Sequence, residues 1–253
     1  DRFLRKGDAL MSLETINIDR LGLRPGDKLL DLGCGEGRHS ISAFLQGDIN
    51  VVGLDLSAKD LATAKGRLAD FNIAADKIDH CLFIQGSGFT LPFADHTFDQ
   101  VICSEVLEHI IEYEKVLSEI KRVLKPGGVF AVSVPRYFPE WVCWQLSDAY
   151  HEVEGGHVRI FNINTLKTQI TETSMHFIER HWAHSLHVPY WWLRCLFWSR
   201  DENKPAEEAH WLVRQYHRFL VWDLMQRPKL TQILDKLLNP LLGKSVVMYF
   251  RNN

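Results

Sequence analysis

Residues Leu29 to Gly37 read L-L-D-L-G-C-G-E-G, an apolar run closed by Asp31 and then by glycines. Glycine lets backbone come close to a bound molecule, because no Cβ stands between them. A second apolar run, Val51-Val52-Gly53-Leu54, ends in Asp55, eighteen residues past Gly37. A carboxylate at such a strand end can hold two vicinal ribose hydroxyls. The pairing predicts a nucleoside cofactor across the carboxyl ends of two parallel strands. No G-K-[ST] follows the glycines, so the loop is not a P-loop. An acid beside the loop is awkward for a pyrophosphate but suits a ligand with a positive ammonium or sulfonium.

Two further groups of residues carry chemistry. In Ser104-Glu105-Val106-Leu107-Glu108-His109, a helix starting at the strand end would place residues three and four apart on one face. Glu105, Glu108 and His109 could then hold a divalent cation such as magnesium, which would acidify a bound hydroxyl. His109 can also take a proton without any metal. His151, Glu152, Glu154 and His157 make a second polar cluster, in a loop marked by Gly155-Gly156. His157 can serve as a base or bind the acceptor. His181, His184 and His187 are three apart, but Pro189 and a strand-like flank argue against a helical metal site there. Arg180, Arg194 and Arg200 stand beside aromatics and could meet an anionic or sugar-rich acceptor.

The elements that position these groups alternate strand with helix, the pattern of a parallel sheet with crossover helices. Strands are expected at 28–32, 51–55, 81–85, 99–104 and 129–134. Helices are expected at 38–45, from a Ser57 cap to about 71, and at 112–124, the last stopped by Lys125-Pro126-Gly127-Gly128. Asn164 would cap a helix to about 173, and 177–184 would be a sixth strand. All eight tryptophans lie beyond residue 140. Residues 206–225 read as a helix broken at Pro228. Leu230, Ile233, Leu234, Leu237 and Leu238 form an apolar stripe ended by Asn239-Pro240. The closing strand is 245–250.

The 253 residues suit one large domain, or one domain with an insertion. A net charge of −3 without basic stripes gives no reason to expect nucleic acid. No apolar run reaches the roughly 18 residues of a membrane span. The first residues lack the apolar stretch of a secretion signal, and the chain begins without Met. Five scattered cysteines with no C-x-x-C point to reduced thiols and a cytoplasmic setting.

A longer set of motifs narrows the reading. Gly86-Ser87-Gly88-Phe89-Thr90-Leu91-Pro92-Phe93 is followed by Asp95, Phe98 and Asp99, then by Ser104 to His109 and by Arg122-Val123-Leu124-Lys125-Pro126-Gly127-Gly128. In this order they resemble the class I S-adenosylmethionine-dependent methyltransferases, in the small-molecule branch of ubiquinone-pathway and sterol-type enzymes. The resemblance covers about residues 20–135 strongly and 155–184 weakly. It implies an α/β fold, a Rossmann-like, mostly parallel seven-stranded sheet flanked by helices. Residues 1–184 and 245–253 would form that domain, and 185–244 a helical, aromatic-rich cap inserted before the last strand.

The resemblance also implies roles. Asp31, Gly33, Cys34 and Gly35 would meet the methionine end of S-adenosyl-L-methionine. Asp55 would hold the ribose, and Leu56 would lie against the adenine. Ser87 and Gly88 would sit at the adenine edge, where many relatives carry an acid in place of Ser87. Ser104 and Glu105 would lie beside the sulfonium. The E-x-x-E-H run is similar to the metal-binding motif of the ubiquinone-pathway O-methyltransferases, and the segment from His157 to Arg159 to one before the last helix. The expected activity is methyl transfer to a small or medium polar acceptor. O-methylation is favoured, with saccharides first among acceptors and phenolic or quinone-like molecules next. A non-catalytic cofactor-binding partner or sensor is the alternative. The tryptophans would stack on the acceptor, pack a cap, or form a homodimer contact.

Overall fold

A computed structural model describes residues 14–71, 73–74, 77–153, 155–197 and 210–253. Seven strands form one sheet in the order β3-β2-β1-β4-β5-β7-β6. They are β1 Lys28–Leu32, β2 Asn50–Asp55, β3 Cys81–Gln85, β4 Phe98–Ser104, β5 Leu124–Pro135, β6 Met175–Ala183 and β7 Ser245–Asn252. The first five pair in parallel; β7 runs antiparallel to both β5 and β6. Strand order reverses about β1, which lies between β2 and β4. That reversal opens a crevice at the strands' carboxyl ends.

Both faces of the sheet are covered, so its central strands read as nearly unbroken apolar runs. Leu30 and Leu32 of β1 pack in one core cluster, whereas Leu29 packs in the other. Helices α1 Arg38–Gln46 and α2 Ala58–Ala69 follow β1 and β2, and α3 Tyr113–Val123 precedes β5. On α3, Val116, Leu117, Ile120 and Val123 are buried at three- and four-residue spacing. Each such side chain contributes roughly 1.5–3 kcal/mol on burial. Ile120→Ala would leave a cavity costing about 2–5 kcal/mol.

After β5 come α4 Tyr137–Leu146, the short α5 Ala149–Glu152 and α6 Ile163–Glu172. Between β6 and β7 lie α7 Val188–Leu196, α8 Trp211–Gln226 and α9 Lys229–Leu242. Leu186, Tyr190, Val213 and Leu220 form a small core of their own there.

Four expectations about elements are corrected. Strand β5 begins at Leu124 rather than at 129: α3 ends at Val123, ahead of Lys125-Pro126-Gly127-Gly128 as expected, but that segment already lies in the strand, because Leu124 pairs with Phe98 before an irregularity in the β4 register. Asn162, not Asn164, caps α6: its backbone is extended and its side chain accepts from the N–H groups of Asn164 and Thr165. Asn164 lies too far inside the helix for that role. The last helix runs through Pro240 to Leu242, and Arg136 Nη1 donates to the carbonyls of Asn239 and Pro240 near its end. Finally, Glu105 to His109 is not a turn of α-helix. Glu105 has φ +55°, and Leu107–His109 is a 3-10 turn. The expected start at residue 206 falls outside the described residues.

Candidate functional site

The glycine loop connects β1 to α1 at the crevice. Gly33 has φ +72°, and a Cβ there would stand 2.3 Å from Val106 Cγ2, so backbone and the β4 turn meet too closely for a side chain. Gly35, also at positive φ, has no atom within 4 Å of its missing Cβ, leaving its outer side open. The Gly33 and Cys34 N–H groups both donate to Leu54 O, which ties the loop to β2. The Cys34 side chain is buried in the core, and burial pushes its thiol well up. Only the backbone of Cys34 is therefore placed to meet a ligand.

Asp55, at the tip of β2, accepts from Gly35 N–H and Ser57 N–H, each at 2.8 Å. A carboxylate has about four lone-pair sites. Two remain for a pair of hydroxyls. Next to it, Leu56 is 70% exposed, a large apolar side chain without cover at the strand's end. Ser87 and Gly88 are half-buried beyond β3, and Ser87 Oγ accepts from Phe89 N–H. Asp31 is buried beneath the loop, with Ser40 Oγ donating at 2.6 Å. Burial pushes its carboxyl up to about 6, and the Ser40 bond only partly offsets this. A cation brought to the loop would restore its charge. Arg38, largely buried at the start of α1, has Glu105, Asp31 and Glu14 as its opposing charges.

On the far side of β4 a polar chain runs Ser104 Oγ–Ser133 Oγ (2.9 Å), Ser133 Oγ–Glu105 Oε1 (2.8 Å) and Glu105 Oε2–Lys244 Nζ (3.5 Å). Glu105 is thus engaged on both oxygens. Its left-handed backbone is costly for a non-glycine residue and is typical of a functional site.

The histidines are gathered by loop stitching rather than by a shared helix. Val158 N–H donates to Glu108 O (2.9 Å), His109 Nδ1 to Gly156 O (3.2 Å) and Arg159 Nη2 to Ile111 O (2.7 Å). The loop around His157 is thereby pinned to the β4 turn. The rings of His109 and His157 meet edge-on with centroids 4.8 Å apart. His157 Nδ1 donates to Glu140 Oε1 at 2.6 Å. Glu140 also accepts from Trp144 Nε1 (3.0 Å) and Tyr150 Oη (3.2 Å). Burial would raise the Glu140 carboxyl, but the His157 bond and charge, with Lys244 and Trp144, hold it below the ordinary range. His109 is lowered, first by burial and then by His157.

The expected cation trio of Glu105, Glu108 and His109 is not brought together. Among the described residues, the close group is Glu108, His109 and His157, whose ligand atoms lie within 4.8 Å of one another. Glu108 is fully buried and neither carboxylate oxygen has a partner. Burial, then the charge of Glu105, drives its carboxyl well up. The other histidine trio forms no close group of ligand atoms among the described residues: His181 Nε2 bonds Thr15 O (3.3 Å), His184 Nε2 bonds Thr15 Oγ1 (3.2 Å), and the His184 and His187 rings meet edge-on with centroids 5.2 Å apart. His151 stacks on Trp144 at 4.1 Å. Arg180 and Arg194 lie over Trp182 and Trp191. Glu154 and Arg200 lie outside the described residues.

Glu140, Tyr150 and Lys244 were missed by the reading of the sequence. Glu140 left a faint signal, as the single acid in the otherwise apolar and aromatic run Tyr137–Leu146. Lys244 left none, since only the return of β7 brings it to Glu105. Lys244 Nζ also lies 5.5 Å from the Trp191 ring centre. Trp191 lines both a small cavity beside Glu140 and a cleft of about 490 Å³ between α7, α8 and α9.

Comparison with known proteins bears on this arrangement. Residues 23–191 match the family model described as a methyltransferase domain. The sterol 24-C-methyltransferase of Saccharomyces cerevisiae is 36% identical over 141 residues, covering 56% of this chain and 33% of that protein. The 27-O-demethylrifamycin SV methyltransferase of Amycolatopsis mediterranei is 30% identical over 156 residues, covering 61% of this chain and 56% of that protein. The matched stretch thus spans between a third and just over half of these relatives. A solved structure described as a sarcosine dimethylglycine methyltransferase from Galdieria sulphuraria shares the fold with TM-score 0.63 at 17% identity, over 99% of this chain and 86% of that one. The chain belongs to the methyltransferase-domain family, in its class I, S-adenosylmethionine-dependent branch.

Proposed function

We propose that the chain transfers the methyl group of S-adenosylmethionine to a hydroxyl of a ring-bearing acceptor, a saccharide first and a phenol next. The observation that carries this reading is the Glu140–His157 pair at 2.6 Å, standing beside His109. Bound S-adenosylmethionine supplies a methyl on a sulfonium, whose positive charge disperses on transfer. The chain's own part is alignment and proton removal. Asp55 and the Gly35 backbone hold the nucleoside; Leu56 offers an apolar face to the base. Glu140 accepts a hydrogen bond from Nδ1–H of His157, which keeps the proton on that nitrogen and directs the Nε2 lone pair to the acceptor hydroxyl. Trp191 and Tyr150 give flat faces on which an acceptor ring can stack.

Glu108, His109 and His157 also fit a divalent cation. A buried carboxylate with two unpartnered oxygens beside two imidazoles is a donor set that a cation would satisfy. A cation there would acidify the hydroxyl that His157 otherwise deprotonates. Ser87, in place of an acid, supports the alternative of a protein that binds the cofactor without turnover.

Labelled S-adenosylmethionine with a panel of saccharide and phenolic acceptors tests the reading. Transfer is expected to an acceptor hydroxyl, and Glu140→Gln is expected to lower kcat by about 10²- to 10⁴-fold with cofactor affinity kept. Equal turnover in Glu140→Gln would remove the histidine as base. Loss of turnover in excess chelator would assign the cation; turnover undiminished there would leave His157 alone. Binding with no transfer to any acceptor would favour the alternative.

A further inference from the structure

The α8–α9 pair presents an arrangement that methyl transfer does not require. Helix α9 is amphipathic with its ordinary orientation reversed. Its inward side is held by polar bonds: Asp235 Oδ1 accepts from Ser185 Oγ (2.7 Å) and Leu186 N–H (3.0 Å), and Asn239 Oδ1 accepts from Ser185 N–H (2.9 Å). Thr231 is buried on that side. With the helix locked this way, Leu230, Ile233, Leu234, Leu237 and Leu241 all face outward. Leu230 is 77% exposed and Leu241 70%. At 100° per residue these five fall within a stripe about 100° wide along the helix.

Charge and aromatic content say what suits this stripe. Lys229 and Lys236 are exposed along one border of it. On α8, Trp211, Arg218, Trp222 and Met225 are exposed and lie on one face. Residues 211–242 carry five basic side chains against two acidic ones, in a chain of net charge −3. Both acids, Asp223 and Asp235, are only partly exposed. Among the described residues Arg214, Arg218, Lys229 and Lys236 enter no salt bridge. Leucines and tryptophans beside lysines and arginines are the composition of helices that lie in a membrane interface. The basic stems reach along apolar surface and keep their charge at the headgroups. A second copy fits less well, because a two-fold contact would set each basic border near its own kind. No described helix is long and apolar enough to cross a membrane.

We propose that the outer face of α8 and α9 docks on a membrane surface rich in anionic lipid headgroups, with the α9 leucine row entering the acyl boundary. The docking does not depend on the acceptor or on methyl transfer. The test is co-sedimentation of the whole chain with vesicles of phosphatidylcholine alone and with phosphatidylglycerol added. The chain is expected to pellet with the anionic vesicles at least tenfold more strongly than with the neutral ones, and less in 1 M salt, where charges are screened beyond about 3 Å. Leu234→Glu with Leu237→Glu is expected to cut binding at least tenfold. Lys229→Glu with Lys236→Glu is expected to abolish the preference for anionic vesicles. All these positions are exposed, so unchanged affinity for S-adenosylhomocysteine and an unchanged circular dichroism spectrum certify the fold of each variant. Wild-type protein that stays in the supernatant with anionic vesicles overturns the proposal. So does a leucine variant that pellets like wild type. A dimer by light scattering that the leucine variant dissolves, with no vesicle binding, overturns it in favour of self-association.

Discussion

Asp55 bonds the glycine loop and the start of α2 through the carboxylate that, in the proposed function, takes the ribose hydroxyls. Removing it would delete the proposed ribose acceptor and the acceptor of Gly35 N–H. Asp55→Ala is therefore expected to weaken S-adenosylhomocysteine binding by about 100-fold or more, near 2.7 kcal/mol. Isothermal calorimetry measures it, and unchanged affinity would mean that the ribose lies elsewhere. Glu140 teaches the complementary lesson. Its neighbours in sequence are a proline and aromatics, and nothing local tells whether such an acid faces solvent or a histidine seventeen residues on. Of the three bonds it accepts, the one from Trp144 lies within α4, whereas the one from His157 exists only because the loop carrying that histidine folds back against the helix.

Local rules placed most elements within a residue or two, since hydrophobic period and turn residues act over short spans. They failed where the decision was tertiary. The E-x-x-E-H run has helical spacing, yet the pairing of β4 with β5 and the close approach of Val106 to Gly33 turn the chain first. The cap of α6 is a local matter that two nearby asparagines left open. Asn162→Ala is expected to lower stability by about 1 kcal/mol, whereas Asn164→Ala should stay within about 0.5 kcal/mol of the parent. Chemical denaturation of the two variants checks this; equal losses would show that the bonds of Asn162 carry no weight.

At the scale of the whole molecule, buried acids link folding to pH. Asp31 is pushed up to about 6 by burial but titrates near 4 when unfolded. Between those values the folded chain keeps a proton that the unfolded chain has released. Stability from this residue therefore falls as pH rises from about 4 to about 6, and stays at the lower level above. The two-unit gap corresponds to roughly 3 kcal/mol. The difference in unfolding free energy between Asp31→Asn and the parent is expected to grow in favour of the variant across that window. A flat difference would mean that Asp31 is not buried as described. If the cofactor binds as proposed, its ammonium would come to the loop and reduce the effect by restoring the charge.

The order of motifs along the chain was enough to establish the sheet, the crevice and the nucleoside cofactor. Strand periodicity, glycine geometry and a carboxylate at a strand tip are consequences of residues close together in sequence. The acceptor side needed the folded chain. Glu140 reaches the His157 loop from helix α4, Lys244 reaches Glu105 from the return of β7, and Glu108 loses its solvent only when the core closes over it. The sequence showed an apolar stripe on α9 at helical spacing but not which way it faces, and Leu238 of that stripe turns inward while Leu230, Ile233, Leu234 and Leu237 face out. The polar anchorage of α9 at Ser185 sets that direction, because spacing specifies which residues share a face and packing decides which way the face turns.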